Sequence, residues 1–240
     1  MKTKILEEFK KIKDQNFIDS NRKHNTGIGK TFEDLLGIKE NNTKEPDYEG
    51  FEIKTQRLKS KSKITLVTKS PTEPKNANSY LKANYGKPHK VFKEVNIIHF
   101  STFGNDFRPK KSNIQFKLDV NRIDKQIHLI VKNVELGSCD NSIFYTFEDL
   151  MTSTQKLNNL FLVIADAKTI NGKEEFHFSK AKVYENFIFE NFLNAVEDGR
   201  IQFDLRIGVY ATGKPHDHGS GFRIHRDNLK DLYSEHFDLE

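Results

Sequence analysis

The sequence has no tryptophan, two methionines and a single cysteine among its 240 residues. Because Cys139 is alone, the chain cannot form an internal disulfide, which is typical of a protein that folds in a reducing compartment. No apolar stretch approaches the roughly 18 residues of a membrane-spanning helix, and the first residues do not resemble a signal peptide. These absences predict a soluble, cytoplasmic protein.

Phenylalanine is the abundant core residue, with 20 copies in a chain of which only 35% is apolar. The length is enough for one large domain or two small lobes with a substantial core. The formal net charge of +5 permits a polyanionic partner without requiring one. The distribution of the charge is therefore more informative than its total.

Residues 51–55, FEIKT, alternate apolar and polar side chains. In a strand, this two-residue period places Glu52 and Lys54 on one face and Phe51 and Ile53 on the other. One face is thus predicted to enter the core and the other to carry a charged pair.

A bend is predicted just before this strand, since Pro46 restricts the backbone and Gly50 permits a tight turn. The carboxylate of Asp47 can then approach Glu52. Two carboxylates repel each other unless a cation lies between them, and oxygen ligands with room for water suit Mg²⁺, for which Mn²⁺ can substitute. Lys54 beside such an ion can orient or deprotonate a water that attacks a phosphoryl group.

Taken alone, the pattern D-x(4)-E-x-K is weak, because a chain that is 30% charged produces such spacings by chance on solvated edge strands. A helix predicted over residues 26–37 strengthens it. The apolar residues on one face of this helix are Phe32, Leu35 and Leu36. Glu33 lies on a different face, where it is either a third acid near the metal or a solvated partner of Lys30.

Basic residues dominate residues 56–90, where Glu73 is the only acid. Such a segment suits contacts with the phosphates of a nucleic-acid duplex, and a solvated, flexible face is the alternative. Lys69 and Ser70 lie in its TKSP block.

Residues 201–209 are predicted as one strand that carries Asp204 and Arg206 on its polar face. A polar turn follows, and the candidate residues in this region are Arg206, His216, Asp217, His218 and Arg223. Arginine and histidine can donate to guanine O6 and N7, and aspartate can accept from cytosine N4, as in base recognition. Structural hydrogen bonding of the loop, phosphate binding and a metal site are the alternatives, although a structural zinc is disfavoured by the single cysteine.

The remaining pattern predicts an α/β mixture with a mixed sheet rather than repeated βαβ units. Residues 63–68 are predicted as the hairpin or meander partner of the catalytic strand, and residues 160–165 as a buried central strand. Helices are predicted over residues 146–158 and 185–198.

Four blocks of the sequence resemble one family in the same order along the chain. They read GKTFEDLLG, PDYEGFEIKT, ITLVTKSP and GKPHDHGSGFRI. They are similar to blocks of the MutH-type restriction endonucleases of the PD-(D/E)xK superfamily, most closely of the MvaI/BcnI branch. The resemblance runs from about residue 25 to about residue 232 and is weakest over residues 92–126.

This resemblance implies metal ligands at Asp47 and Glu52, a catalytic lysine at Lys54 and a helix glutamate at Glu33. It implies a restriction-endonuclease-like core, a mixed β-sheet flanked by helices, in a single chain of residues 1–240. A catalytic lobe, about residues 1–90, and a recognition lobe, 91–240, would form a DNA cleft.

The implied activity is that of a Type II restriction endonuclease, a monomer that cuts double-stranded DNA with Mg²⁺ at a short G·C-rich site such as CCWGG. The same resemblance assigns DNA contacts to Lys69 and Ser70 and base recognition to the HDHG block. A cognate DNA methyltransferase is the expected companion enzyme. The alternatives are a MutH-like nickase of methyl-directed mismatch repair and a catalytically inactive DNA-binding module.

Overall fold

The computed structural model describes residues 2–38, 45–99, 102–210, 212 and 214–239. The helices are α1 (Lys2–Lys13), α2 (Gly27–Leu35), α3 (Ala77–Tyr85), α4 (Phe147–Thr154) and α5 (Phe189–Glu197). The strands are β1 (Ile18–Asp19), β2 (Glu52–Arg57), β3 (Ile64–Thr68), β4 (Lys87–Pro88), β5 (Asn96–His99), β6 (Ile114–Asn121), β7 (Gln126–Asn133), β8 (Ser138–Asp140), β9 (Phe144–Thr146), β10 (Asn159–Ile170), β11 (Lys173–Phe187), β12 (Ile201–Asp204), β13 (Arg206–Val209), β14 (Pro215–Asp217), β15 (Gly221–Ile224) and β16 (Tyr233–Leu239). No helix in these described ranges is both long and apolar enough to cross a membrane.

The contacts within the chain define two compact units. The first unit comprises Met1–Ser62, Gln155–Ile188 and Lys230–Glu240, and the second comprises Lys63–Thr154 and Phe189–Leu229. Each unit is therefore assembled from separate parts of the sequence, whereas the sequence-based lobes, 1–90 and 91–240, are consecutive. The assignment of catalysis and recognition to two lobes stays a prediction.

The first unit is built on a sheet with the strand order β1-β11-β10-β2, in which β16 also pairs with β11. β2 is parallel to β10, while the other pairs are antiparallel. The sheet is thus mixed, as predicted, and the apolar run at residues 160–165 is a buried strand between two neighbours.

Helices α1 and α2 share one hydrophobic cluster with this sheet. Ile5, Phe9 and Ile12 of α1 and Phe32 of α2 belong to it, together with Ile53 of β2. The apolar face predicted for the helix over residues 26–37 is confirmed by this packing, and the apolar face of β2 is held in the core.

The expectation that β2 pairs with the next strand along the chain is wrong. β3 pairs with β15 in a sheet of the second unit, and β2 pairs in parallel with β10. The reason is that the apolar β10 is central to its sheet and needs a neighbour on each edge, and β2 supplies one of them. Adjacency in sequence is only a tendency in strand pairing.

The helix predicted over residues 185–198 begins later than expected, because α5 starts at Phe189. Residues 185–187 belong to β11, where Glu185 pairs with Asn159 on one side and Glu235 on the other. Hydrogen bonding to two neighbouring strands outweighs the helical spacing of the side chains at this point.

In the part of the second unit that the structure describes, the strands form three sheets. Their orders are β12-β15-β3, β14-β13-β5-β4 and β6-β7-β8, the last with β9 on β7. The single strand predicted over residues 201–209 is divided at Leu205 into β12 and β13, which belong to different sheets. Consequently Asp204, expected on an open polar face, is buried.

Phe161 is the aromatic residue on which the core of the first unit can be tested. Its ring lies 5.7 Å from that of Phe9 and 6.4 Å from that of Phe51, centroid to centroid, and it is fully buried. We expect Phe161→Ala to lower the free energy of unfolding by about 3–5 kcal/mol, as measured by urea denaturation. Ile170→Ala, on the exposed end of the same strand, is the control and should change it by at most about 0.5 kcal/mol. Equal losses in the two variants would contradict this packing.

Candidate active site

The turn before β2 brings Asp47 back to that strand. Tyr48 and Phe51 exchange two backbone hydrogen bonds of 3.0 and 2.8 Å. Between them Glu49 and Gly50 both have positive φ, of 49° and 81°, as a type I′ turn requires. Asp47 Oδ2 then accepts the backbone N–H of Ile53 at 2.9 Å. The predicted bend is present, and it places the Asp47 carboxylate beside β2.

Glu52 is a buried carboxylate held by two lysines. Its side chain is 2% exposed, and its Oε1 accepts from Lys54 Nζ at 2.5 Å and from Lys156 Nζ at 2.8 Å. Its Oε2 is also buried but has no hydrogen-bond partner among the described residues. A buried, ionised carboxylate is stable only with compensating charge, which the two ammonium groups supply at one oxygen.

Lys156 is the residue of this site that sequence reasoning missed. It lies in a 3-10 turn, Gln155–Leu157, between α4 and β10. The contact spans 104 residues of sequence, so no local spacing could have revealed it. The predicted central strand was a partial signal, since the residues just before a parallel neighbour of β2 lie close to the start of β2.

The environment of Asp47 disfavours its ionised form. Asp47 is exposed as a residue, but its carboxylate turns toward β2. Partial desolvation raises the pKa of the Asp47 carboxyl, and the negative charge of Glu52 raises it further. The Ile53 N–H and the ammonium groups of Lys54 and Lys156 oppose this rise. The pair of carboxylates thus carries a repulsion that a cation would relieve.

Glu33 lies on α2 and is half-buried. Within the described ranges, no three acidic, histidine or cysteine side chains form a group that could hold a metal ion. The structure therefore does not gather Glu33, Asp47 and Glu52 into a three-acid cluster. Lys30 is the partner of Glu33 in the alternative interpretation, and its Nζ donates to Asp34 Oδ1 at 2.6 Å. A catalytic role for Glu33 stays a prediction.

In the second unit, Asp217 organises the loop between β14 and β15. Its Oδ1 accepts the backbone N–H groups of Gly219 and Ser220 at 2.9 and 2.7 Å, and its Oδ2 accepts from Asn78 Nδ2 at 2.9 Å. Asn78 Nδ2 also lies 3.1 Å from Ser70 Oγ. Asp217 and Ser70 are thus joined through Asn78.

Asp204 holds the two arginine candidates together. Its Oδ2 accepts from Arg206 Nη2 at 2.6 Å and lies 3.0 Å from Arg223 Nε. The second contact is an ion pair without hydrogen-bond alignment, because Arg223 Nε has no hydrogen-bond partner in the described part of the chain. Burial lowers the pKa of the Arg223 guanidinium, and Asp204 opposes this. The spacing of Asp204 and Arg206 on one strand was a usable signal for this contact.

The two histidines of the HDHG block lie next to each other. The ring of His216 stacks on Tyr210 at a centroid distance of 4.0 Å and meets His218 edge-on at 4.7 Å. The backbone N–H of His218 donates to the carbonyl oxygen of Arg206 at 2.9 Å. The structure therefore brings the candidates Arg206, His216, Asp217, His218 and Arg223 into one cluster of strands and loops.

Lys69 and Ser70 follow β3 in the same unit. Lys69 Nζ lies 3.1 Å from Asp149 Oδ1, and the Lys69 carbonyl oxygen accepts from the Tyr145 hydroxyl at 3.0 Å. These contacts order the backbone of the TKSP block. Whether its side chains contact a phosphate stays a prediction.

The raised pKa of Asp47 leads to a test on the metal-free protein. Because the folded state binds the Asp47 proton more tightly than the unfolded state, the ionised carboxylate destabilises the fold at neutral pH. Asp47→Asn removes that charge and keeps an oxygen for the Ile53 N–H. We expect a small rise in melting temperature at neutral pH, which shrinks as the pH falls toward about 4. A lower melting temperature for the variant across this range would contradict the assigned repulsion.

The hydrogen bonds of Asp217 lead to a second test. We expect Asp217→Ala to lower the free energy of unfolding by about 1–3 kcal/mol in urea denaturation, since partly buried donors lose their acceptor. Asp217→Asn keeps one acceptor oxygen and should lose less. If Asp217 served only to contact DNA, both variants would be as stable as the parent protein.

A search of curated protein sequences found no match. Among solved structures, restriction endonuclease MvaI in its complex with cognate DNA substrate has a TM-score of 0.90 and 34% sequence identity, over 98% of this chain and 97% of that one. MvaI in the absence of DNA has a TM-score of 0.62 at the same 34% identity, over 98% of this chain and 95% of that one.

The family comparison agrees with the structural one. The family model described as the MvaI/BcnI restriction endonuclease family matches residues 6–233, nearly the whole chain. This confirms the resemblance inferred from the four sequence blocks and the mixed α/β fold. The chain belongs to the MvaI/BcnI restriction endonuclease family and is a site-specific DNA nuclease.

Proposed function

We propose that this Type II restriction endonuclease hydrolyses both strands of double-stranded DNA with Mg²⁺ at a short G·C-rich site, CCWGG being the candidate sequence. The observation that carries the proposal is the arrangement of Asp47, Glu52 and Lys54 at the start of β2. The similar structure of MvaI is a complex with its cognate DNA substrate, which supports DNA as the ligand of this chain too.

The donor set fits a divalent metal ion. Glu52 Oε2 is a buried carboxylate oxygen for which the described residues supply no hydrogen-bond donor. Asp47 lies beside Glu52, and both burial and the charge of Glu52 raise the pKa of the Asp47 carboxyl. Carboxylate oxygens are the ligands that Mg²⁺ prefers. Asp47 and Glu52 would hold the ion, which supplies a Lewis acid for a phosphate oxygen and acidifies its bound water.

Lys54 has the position that a catalytic lysine needs. It shares a face of β2 with Glu52, and its side chain is 25% exposed. At a scissile phosphate, this group would donate hydrogen bonds to a non-bridging oxygen or orient the attacking water. Charge that develops on the phosphate is thereby stabilised.

Base recognition is supported by the cluster in the second unit that contains Arg206, His216, Asp217, His218 and Arg223. Arg206 and Arg223 are directed by their shared contacts with Asp204, and the HDHG loop is ordered by Asp217. Arginine side chains and histidine N–H groups are suitable donors to guanine O6 and N7 in a major groove. Lys69 and Ser70 are proposed to contact the DNA backbone, which fixes register rather than sequence.

The sequence resemblance supports a monomer that cuts the two strands in turn, and the single cysteine supports a reducing, cytoplasmic setting. A nuclease with this activity would also cut the DNA of its own cell. We therefore propose a companion methyltransferase that modifies the same site.

The test of the proposed function is digestion of unmethylated DNA of known sequence, with Mg²⁺ and with EDTA, followed by sequencing of the ends. Discrete fragments that depend on Mg²⁺ and end within CCWGG are expected. Fragments with ends in another sequence would overturn the proposed site and retain the activity. Supercoiled plasmid converted only to open circles would indicate a nickase, and DNA binding without any cleavage would indicate an inactive module.

Lys54→Ala provides the matching test of the catalytic assignment. We expect the cleavage rate with Mg²⁺ to fall at least about 100-fold, since a positioned group for proton transfer or charge stabilisation is lost. DNA binding, measured by gel shift with Ca²⁺, should persist. Lys180→Ala, at an exposed lysine of β11, is the control and should cleave normally. Cleavage by Lys54→Ala at the parent rate would contradict the assignment.

A further inference from the structure

Lys156 contacts the carboxylate assigned to the metal, although it lies outside the D-x(4)-E-x-K pattern. Its Nζ is 2.8 Å from Glu52 Oε1, the same oxygen that accepts from Lys54 at 2.5 Å. Both ammonium groups thus approach one oxygen of Glu52. The other oxygen, Oε2, is left for a ligand from outside the described residues.

The backbone around Lys156 is fixed by contacts that do not involve the side chain of Glu52. Leu157, the next residue, is fully buried, and the Asn158 N–H donates to the Gln155 carbonyl at 3.1 Å. β10 begins directly afterwards, and Leu160 pairs with Glu52 itself. Parallel pairing therefore carries the 3-10 turn to the start of β2, and Lys156 approaches Glu52 from a second element.

Lys54 has two roles that it cannot fill at the same time. It neutralises Glu52 in the structure, and in the proposed function it must also turn to the DNA phosphate or to the attacking water. A buried carboxylate that loses its only cation is strongly destabilised. Lys156 removes this conflict, because it remains on Oε1 when Lys54 turns away.

We infer that Lys156 is a positioning residue for the nuclease reaction: it holds Glu52 Oε1 so that Oε2 faces the metal and Lys54 is free to act on DNA. This inference rests on the proposed function. Lys156 acts through Glu52 and not on the substrate. Its loss should therefore lower the rate of cleavage more than the affinity for DNA.

The first experiment measures melting temperatures without metal or DNA. Lys156→Met should lower the melting temperature of the parent protein and have a much smaller effect when Glu52→Gln has removed the buried charge. If the lysine stem served only in packing, the decrease would be equal in both backgrounds. That result would overturn the assigned partnership.

The second experiment measures single-turnover cleavage with Mg²⁺ and binding of uncleaved DNA with Ca²⁺. We expect Lys156→Met to reduce the rate about 10–100-fold, as changes to the partners of metal ligands do, with unchanged DNA affinity. Lys156→Arg, which retains the charge, should recover most of the rate. Lys182→Met is the matched control, because it removes an exposed lysine–carboxylate pair, with Asp238, in the same unit.

The outcomes separate this inference from the proposed function. A parent protein that does not cleave DNA with Mg²⁺ would overturn the proposed function together with the catalytic consequence of Lys156. Normal cleavage by Lys156→Met, or equal rates for the methionine and arginine variants, would overturn only the role of Lys156. If Glu52→Gln does not fold, the cleavage rates of Lys156→Met and Lys156→Arg decide whether Lys156 positions Glu52.

Discussion

The parallel pairing of β2 with β10 is the constraint on which the candidate active site depends. It fixes Ile53 in the core shared with α1 and α2 and turns Glu52 and Lys54 to the other face. The same pairing brings Lys156, at the start of β10, to Glu52. Burial of apolar side chains thus provides the free energy that holds a costly charged group in place.

In the second unit, too, carboxylates hold neighbouring side chains and a loop in place. Asp204 is a buried carboxylate that two arginines share, and Asp217 accepts hydrogen bonds from the loop that carries the two histidines. In both units a carboxylate with fixed partners orders the groups that would meet the substrate. Side chains whose positions are fixed beforehand lose less conformational entropy when a ligand binds.

The parts of this arrangement that depend on local sequence were predictable. The alternation of residues 51–55, the bend at Gly50 and the apolar helix faces are consequences of short-range periodicity, and the structure contains all three. The partner of β2, the late start of α5 at Phe189 and the contact of Lys156 with Glu52 depend on residues far apart in sequence. Asp204 was predictable only in part. Its spacing from Arg206 could be read from the sequence, whereas its burial could not, because the one predicted strand is divided into two.

In the proposed site Glu52 Oε2 would bind the divalent ion, while Lys156 stays on Oε1. Anomalous diffraction from a crystal soaked with Mn²⁺ tests this arrangement most directly. We expect a manganese peak within about 2.1 Å of Glu52 Oε2 and of an Asp47 oxygen, with Lys156 still on Oε1. A peak that lies away from both carboxylates, or on Oε1 with Lys156 displaced, would contradict it.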